Sequence, residues 1–456
     1  MTQLENYILE NESRFIEDLK AWLRIPSIST LPEHAKDIQA AATFAADQLK
    51  QIGLEKTGLI ETAGHPLVYG EWLKAPGKRT ILLYGHYDVQ PVDPVSLWDS
   101  PPFEPTIKGD NLYARGASDD KGQTMLVLKA LESLMRVNNA LPLNVRVLLE
   151  GEEEAGGEAI DAYVRSHADE LKCDASFICD TGMPGKDMPA LVYGLRGIVY
   201  TEVEVNGAKR DLHSGSYGGV APNPLHALAL IIADLKDRDG HIQIPGLYDS
   251  ARKPSEAERA FWKEDPIKAN TSLLQEMEIS ELSGESEYPP LERIWARPTL
   301  EVHGIVGGFV GEGAKTVIPA TATAKISLRI PPDLRLSSTE VFKLFEKRVY
   351  EVAPRGVEVK VRNVHGGEAV EVPLKSPFME AATDALREVF GKEPVMMREG
   401  GSIPIAALFD EKLHAPTVLM GFALPEDDVH APNEKYSLTQ FKLGLRSVAR
   451  FLEKLG

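Results

Sequence analysis

Buried-strand and amphipathic-helix patterns take turns along this chain from about residue 40, break off near 197 and resume near 375. That interrupted alternation limits the architectures open to it. IQAAATFAADQLKQIG spaces its apolar residues for a helix that Gly53 closes, and RTILLYG is an apolar run of strand length. KGQTMLVLKALESLM reads as a helix, and LNVRVLLE and DASFICD as strands. Strands separated by helices predict a parallel sheet with helical crossovers, the α/β class. Near 197 the texture changes. GIVYTEVEVNGA alternates like a strand with one exposed face, PNPLHALALIIADLKD is a helix, and a polar, helix-leaning insertion fills about 240–290. The strands PTLEVHGIVGG and TATAKISLRIP, the helix STEVFKLFEKRVYEV and the strand GVEVKVRNV then predict an inserted α+β domain. Helix MEAATDALREVFG, strand APTVLMGF and helix LTQFKLGLRSVARFLEKL restore the first pattern. Residues 1–197 and 376–456 are expected to form one domain and 198–375 the other, since 456 residues exceed what one core usually supports.

Charge and composition exclude several partners. With 43% hydrophobic and 26% charged residues the chain is of the soluble globular class, and its net charge of -18 argues against nucleic acid, which requires a basic face. No apolar run approaches the roughly 18–20 residues of a membrane span. The N-terminal stretch lacks a basic start and an apolar core, and spaces Leu4, Tyr7, Ile8, Phe15, Leu19 and Trp22 for an amphipathic helix. Two cysteines, Cys173 and Cys179, cannot staple a chain this long, so a reducing cytoplasm is expected.

Polar residues gather where the apolar strands end. ILLYG runs into His86-Tyr87-Asp88, and extended residues two apart face one side, so His86 and Asp88 point together. Asp119 and Asp120 precede a helix, VRVLLE runs into Glu152, Glu153 and Glu154, SFICD ends in Asp180, and DDVHAPNEKY carries His430. Singly, each has an ordinary reading: a hydrogen-bonded histidine, a helix cap, a solvated glutamate, a turn aspartate. Ligands in open α/β sheets, however, collect outside the carboxyl ends of parallel strands, and all five clusters fall at that edge. Two histidines with several carboxylates form a nitrogen/oxygen donor set suited to zinc, manganese or cobalt. So many carboxylates in one cavity need cations to neutralise them. Two divalent ions about 3.5–4 Å apart, with one carboxylate bridging, are the natural number.

LLYGHYDVQPVD, LYARGASDDKGQ, LLEGEEEAGG, DLHSG and HAPNEK, in this order, resemble the M20 metallopeptidase family, in particular its dipeptidase branch. The resemblance implies a two-zinc α/β catalytic domain interrupted by a smaller domain that serves as lid and dimerises, hence a homodimer. It implies that Asp119 bridges the metals, that His86 and Asp180 hold one and Glu154 and His430 the other, and that Asp88 orients His86. It makes Glu153 the general base toward a metal-bridging water, with Glu152 outside the site unless the register slips by one. It assigns substrate contacts to His213 in DLHSG, Arg329 in SLRIPP and Ser402 in EGGSIP, and more weakly to Thr316 and His365. Aspartate rather than glutamate at 180 resembles the branch that acts on dipeptides with a free amino terminus. The alternatives are an N-acyl-amino-acid deacylase or carboxypeptidase of the same family, and a non-catalytic scaffold. The scaffold reading requires a broken position among the seven motif residues, and none is broken.

Overall fold

The computed structural model describes residues 2–263, 273–275, 277–401 and 403–456. They form two compact units: Met1–Tyr193, Val372–Met397 and Ile405–Gly456 in the first, Gly194–Glu371 and Arg398–Pro404 in the second.

The first unit is built on a mixed sheet. In spatial order seven of its nine strands are Glu55–Ile60, Leu67–Trp72, Asn144–Glu150, Thr80–His86, Ala175–Ile178, Thr417–Leu419 and Ala190–Leu195. The four from Asn144–Glu150 to Thr417–Leu419 are parallel to one another, and the flanking pairs are antiparallel. Successive side chains alternate between the two faces. Phe177 therefore stacks on Phe451 of the helix Leu438–Leu455, whereas Tyr84 meets Phe409 of the helix Pro404–Leu413 edge-on. Helix Lys121–Asn138 is buried all round from Lys121 to Leu134, packed against helices Gln3–Leu23 and Leu438–Leu455. An all-round buried helix must neutralise its polar side chains internally. Lys129 meets Asp18 at 2.7 Å and Glu132 at 2.9 Å, and Lys121 donates to the Ile25 carbonyl at 2.8 Å. Helix Gln3–Leu23 starts at Thr2, whose hydroxyl accepts from Glu5 N–H while the Glu5 carboxylate accepts from Thr2 N–H.

The second unit carries a four-stranded antiparallel sheet in the order Thr299–Gly307, Thr321–Ile330, Gly197–Asn206, Glu358–Gly367. Helices Pro224–Leu235 and Ser338–Val352 pack on it through a core that includes Val199, Val203, Leu228, Ile231, Ile326, Leu328, Val341 and Phe345. Of the polar insertion expected over 240–290, the described part includes helix Glu256–Lys263; residues 264–272 and 276 lie outside the described residues. Arg398, fully buried, is held by Glu258 and Asp333, and Arg252 joins both carboxylates.

Candidate metal centre

The carboxyl ends of three parallel strands deliver four of the side chains. His86 ends its strand, Glu153 and Glu154 lie in the single turn Glu153–Ala155 after Asn144–Glu150, and Asp180 follows Ala175–Ile178 by two residues. Asp119 precedes helix Lys121–Asn138, and His430 sits in the loop before Lys435–Ser437. The Asp119–Asp120 peptide bond is cis. Asp120 stands at the N-cap position of that helix without capping it; its carboxylate accepts from the Thr124 hydroxyl at 2.6 Å and from His86 N–H at 3.2 Å.

Asp119 is the hub. Its Oδ1 lies 3.0 Å from His86 Nε2, and its Oδ2 lies 2.8 Å from His430 Nε2. Asp180 Oδ2 is 3.8 Å from His86 Nε2, and Glu154 Oε1 is 3.2 Å from His430 Nε2. Among the described residues, His86, Asp119 and Asp180 form one group with donor atoms within 4.8 Å of one another, and Asp119, Glu154 and His430 form another. These are imidazole nitrogens and carboxylate oxygens, the donor set of borderline and hard divalent cations, so the residues fit two such ions sharing Asp119. Cys179 is buried nearby, but its thiol is turned to Gln123 Oε1 at 3.9 Å.

Electrostatics agree with that fit. Burial, reinforced by Glu154 and Asp119, pushes the Glu153 carboxyl well above the usual carboxylate range. Burial and then Asp120 and Asp119 do the same to Asp180. Burial also opposes charge on Asp119, but hydrogen bonds to His430 and His86 outweigh it and hold its pKa below the ordinary value. His430 is raised to about 10, first by its hydrogen bond to Asp119 and then by Glu154. Excess negative charge at low dielectric is what cations would relieve.

The four carboxylates of EGEEEAGG go to three places. Glu150 is buried and accepts from the Tyr84 hydroxyl at 2.5 Å. Glu152 turns away from the site, accepting from His65 N–H at 2.6 Å and from Ala159 N–H at 3.0 Å. Glu153 and Glu154 turn toward Asp119, and their backbone N–H groups donate to the two Asp88 oxygens at 3.3 and 3.0 Å. Gly156 and Gly157, at φ 119° and 66°, let the chain leave this tight turn. Asp88 thus holds the Glu153-Glu154 backbone as well as facing His86, whose Nδ1 lies 3.1 Å from the Asp88 carbonyl and 3.4 Å from its carboxylate.

Sequence reasoning passed over Gln90, which donates to Glu154 Oε2 at 2.7 Å, and Glu434, whose carboxylate is buried under the Asp119 loop. Gln90 continues the every-second-residue series of His86 and Asp88, the one local signal available for it.

Four of the remaining candidates lie in the second unit. His213 is exposed on the short strand Leu212–His213 paired with Val317–Ile318, and the Thr316 carbonyl accepts from Ser214 N–H at 3.1 Å. Arg329, half-buried, and His365, which stacks on Tyr200 at 5.1 Å, belong to neighbouring parts of the four-stranded sheet. Burial and then the Arg329 charge lower the His365 pKa. Ser402 lies outside the described residues.

The chain is 33% identical to the Cys-Gly metallodipeptidase DUG1 of Candida albicans, covering 98% of this chain and 96% of the relative. Its structure is similar to that of human carnosine dipeptidase 1, with TM-score 0.87, 30% identity and coverage of 100% and 99% of the two chains. It is also similar to the M20 metallo-carboxypeptidase Sso-CP2 of Sulfolobus solfataricus, with TM-score 0.86, 32% identity and coverage of 97% and 99%. The model of peptidase family M20/M25/M40 matches residues 82–454, from the strand that ends in His86 to the final helix, and the chain belongs to that family.

Proposed function

We propose that this protein hydrolyses dipeptides with a free amino terminus, using two divalent cations held by His86, Asp119, Asp180, Glu154 and His430. The observation that carries the reading is Asp119, whose two oxygens each address a different histidine-carboxylate group. Support for the substrate class comes from relatives named for Cys-Gly and carnosine hydrolysis. Bound there, the cations would supply Lewis acidity toward the peptide carbonyl and toward water, and zinc, manganese and cobalt all suit the donor set. Glu153 accepts the proton of the attacking water as the new C–O bond forms, then returns it to the leaving amine as the C–N bond breaks. Asp88 keeps Glu153 and Glu154 in register by accepting from both of their backbone N–H groups.

On the motif match we assign Arg329 and Ser402 to the substrate carboxylate, and His213, Thr316 and His365 to further substrate contacts. The 198–375 domain is proposed as lid and dimerisation element of a homodimer. In its favour, Thr299–Gly307 is an edge strand that exposes Ile305 and Val306, followed by exposed Phe309 and Val310. Both cysteines are free thiols, in keeping with a reducing, cytoplasmic setting. Among the described residues no helix is long and apolar enough to cross a membrane.

The likeness to a metallo-carboxypeptidase keeps a second reading in view, hydrolysis of longer peptides or N-acyl amino acids. Protein stripped by chelator and reloaded with zinc, manganese or cobalt separates them when assayed on Cys-Gly, carnosine, tripeptides and N-acyl amino acids. Cation-dependent cleavage confined to free-amine dipeptides is expected. Cleavage of N-acyl amino acids alone would establish the second reading instead.

A further inference from the structure

Glu434 is fully buried, and its carboxylate meets four donors from one short loop. Its Oε2 accepts from Arg115 Nη1 at 2.8 Å and from Gly116 N–H at 2.8 Å. Its Oε1 accepts from Ser118 N–H at 2.9 Å and from Asp119 N–H at 3.1 Å. The Glu434 carbonyl accepts from Ala114 N–H at 3.1 Å, which ties the same two segments again. Four donors on two oxygens are what an ionised carboxylate satisfies and what neither a carboxylic acid nor an amide can.

The two loops joined in this way are those that carry Asp119 and His430. A second link runs beside the first: the Ser118 hydroxyl donates to Asp427 Oδ2 at 3.0 Å, and that oxygen also accepts from Leu424 N–H at 2.8 Å. Arg115 extends the tie to a third segment by donating from Nη2 to the Pro91 carbonyl at 3.0 Å. The His430 loop needs such anchorage, because Asp428, His430 and Asn433 all have positive φ, at 54°, 62° and 67°. Non-glycine residues keep that backbone only where their surroundings impose it. Asn433 supplies part of the anchorage, accepting from Asp99 N–H at 2.8 Å and donating to the Leu97 carbonyl at 2.9 Å.

We propose that Glu434 is a positioning residue that sets the spacing of the two cation subsites, by clamping the loop of the shared ligand Asp119 to the loop of His430. The inference rests on the ligand assignment above. Glu434 touches neither a cation nor substrate in this scheme. It acts through the Asp119 backbone, and so on both subsites at once. Replacement by glutamine keeps the shape but turns an N–H₂ group toward two N–H donors.

The test is a Co2+ titration of the full-length protein, read by visible absorption of the bound ion and by metal content after gel filtration. Wild type is expected to take up two equivalents. Failure to do so overturns the ligand assignment, and the clamp with it. Glu434→Gln is expected to bind the two equivalents about tenfold or more weakly, with an altered spectrum, as found for outer-shell partners of metal ligands. Activity measured at saturating Co2+ should recover further than activity at low Co2+. Phe15→Leu, a core change far along the chain from either loop, is the control for lost stability alone. Wild-type affinity and spectrum in Glu434→Gln would overturn the proposal, as would an equal loss of affinity in Phe15→Leu. Should the glutamine variant fail to fold, Glu434→Asp keeps the charge and shortens the reach by one methylene. Weaker Co2+ binding in it supports the clamp, and wild-type binding refutes it.

Discussion

Asp88 holds the peptide groups of two adjacent glutamates inside one turn, and the proposed mechanism gives the two different work. If Glu153 moves the proton, Glu153→Gln removes a base without removing a ligand. Its kcat on a dipeptide should fall by roughly 10²–10⁴, while uptake of two cations stays unchanged. A variant that lost metal and activity in parallel would make Glu153 a ligand instead. A separate expectation concerns Glu258 in the second unit. Burial opposes its charge, but Arg252 and the Ser255 N–H and hydroxyl outweigh this and hold its pKa down at about 2. A carboxylate with a depressed folded pKa stabilises above its unfolded value, near ~4.3, and loses that contribution as pH falls toward the folded one. Acid titration of unfolding should therefore show stability falling between about pH 4.5 and 2, and Glu258→Gln should flatten that slope. Equal slopes in the two proteins would show that the Glu258 ion pairs contribute nothing.

Elements meet at the site with little room to spare. Gly421 follows the strand Thr417–Leu419 by two residues, and a Cβ there would lie 1.9 Å from the Thr181 carbonyl oxygen and 2.5 Å from its nitrogen. Backbone atoms cannot swing aside as a long side chain can, so Gly421→Ala must shift the segment that carries Asp180. The expected result is about 1–3 kcal/mol of lost stability and selective weakening of one of the two cation equivalents. Equal weakening of both in a calorimetric titration would argue against so local an effect. Helices and central strands of this layout were legible because their periods of 3.6 and 2 follow directly from residue spacing. The outer strands Glu55–Ile60 and Leu67–Trp72 were not. EKTGLI is half-exposed and LVYGEW carries a glycine and a glutamate, so neither has a buried strand's composition, and only antiparallel pairing defines them.

At the scale of the whole molecule, bound cations and the proposed dimer contact should each add to stability. Ions that bind only the folded chain add RT ln(1 + [L]/Kd), about 2.7 kcal/mol at a hundredfold excess over Kd. Chelation should therefore lower a calorimetric unfolding transition, and restored zinc, manganese or cobalt should raise it again. A melting profile indifferent to chelator would count against resident ions. Val306, 74% exposed on the edge strand Thr299–Gly307, is the place to test the proposed dimer. Val306→Glu should convert a sedimenting dimer to monomer without changing the fold, and a dimer that persists would place the interface elsewhere.

Local pattern was enough to read the α/β class, the α+β insertion and five polar clusters, those of His86, Asp119, Glu152 to Glu154, Asp180 and His430, expected at one sheet edge. Each of these follows from neighbours within a few residues, or from the rule that such ends face one edge. Motif likeness, rather than spacing, supplied the division of labour between Glu153 and Glu154. Tertiary structure alone decided that Asp88 would hold two peptide groups, that Glu152 would leave the site for His65 and Ala159, and that Glu434 would reach back 315 positions to Asp119. A buried carboxylate takes its donors from whatever backbone the fold brings within about 3 Å, and that proximity belongs to the path of the whole chain.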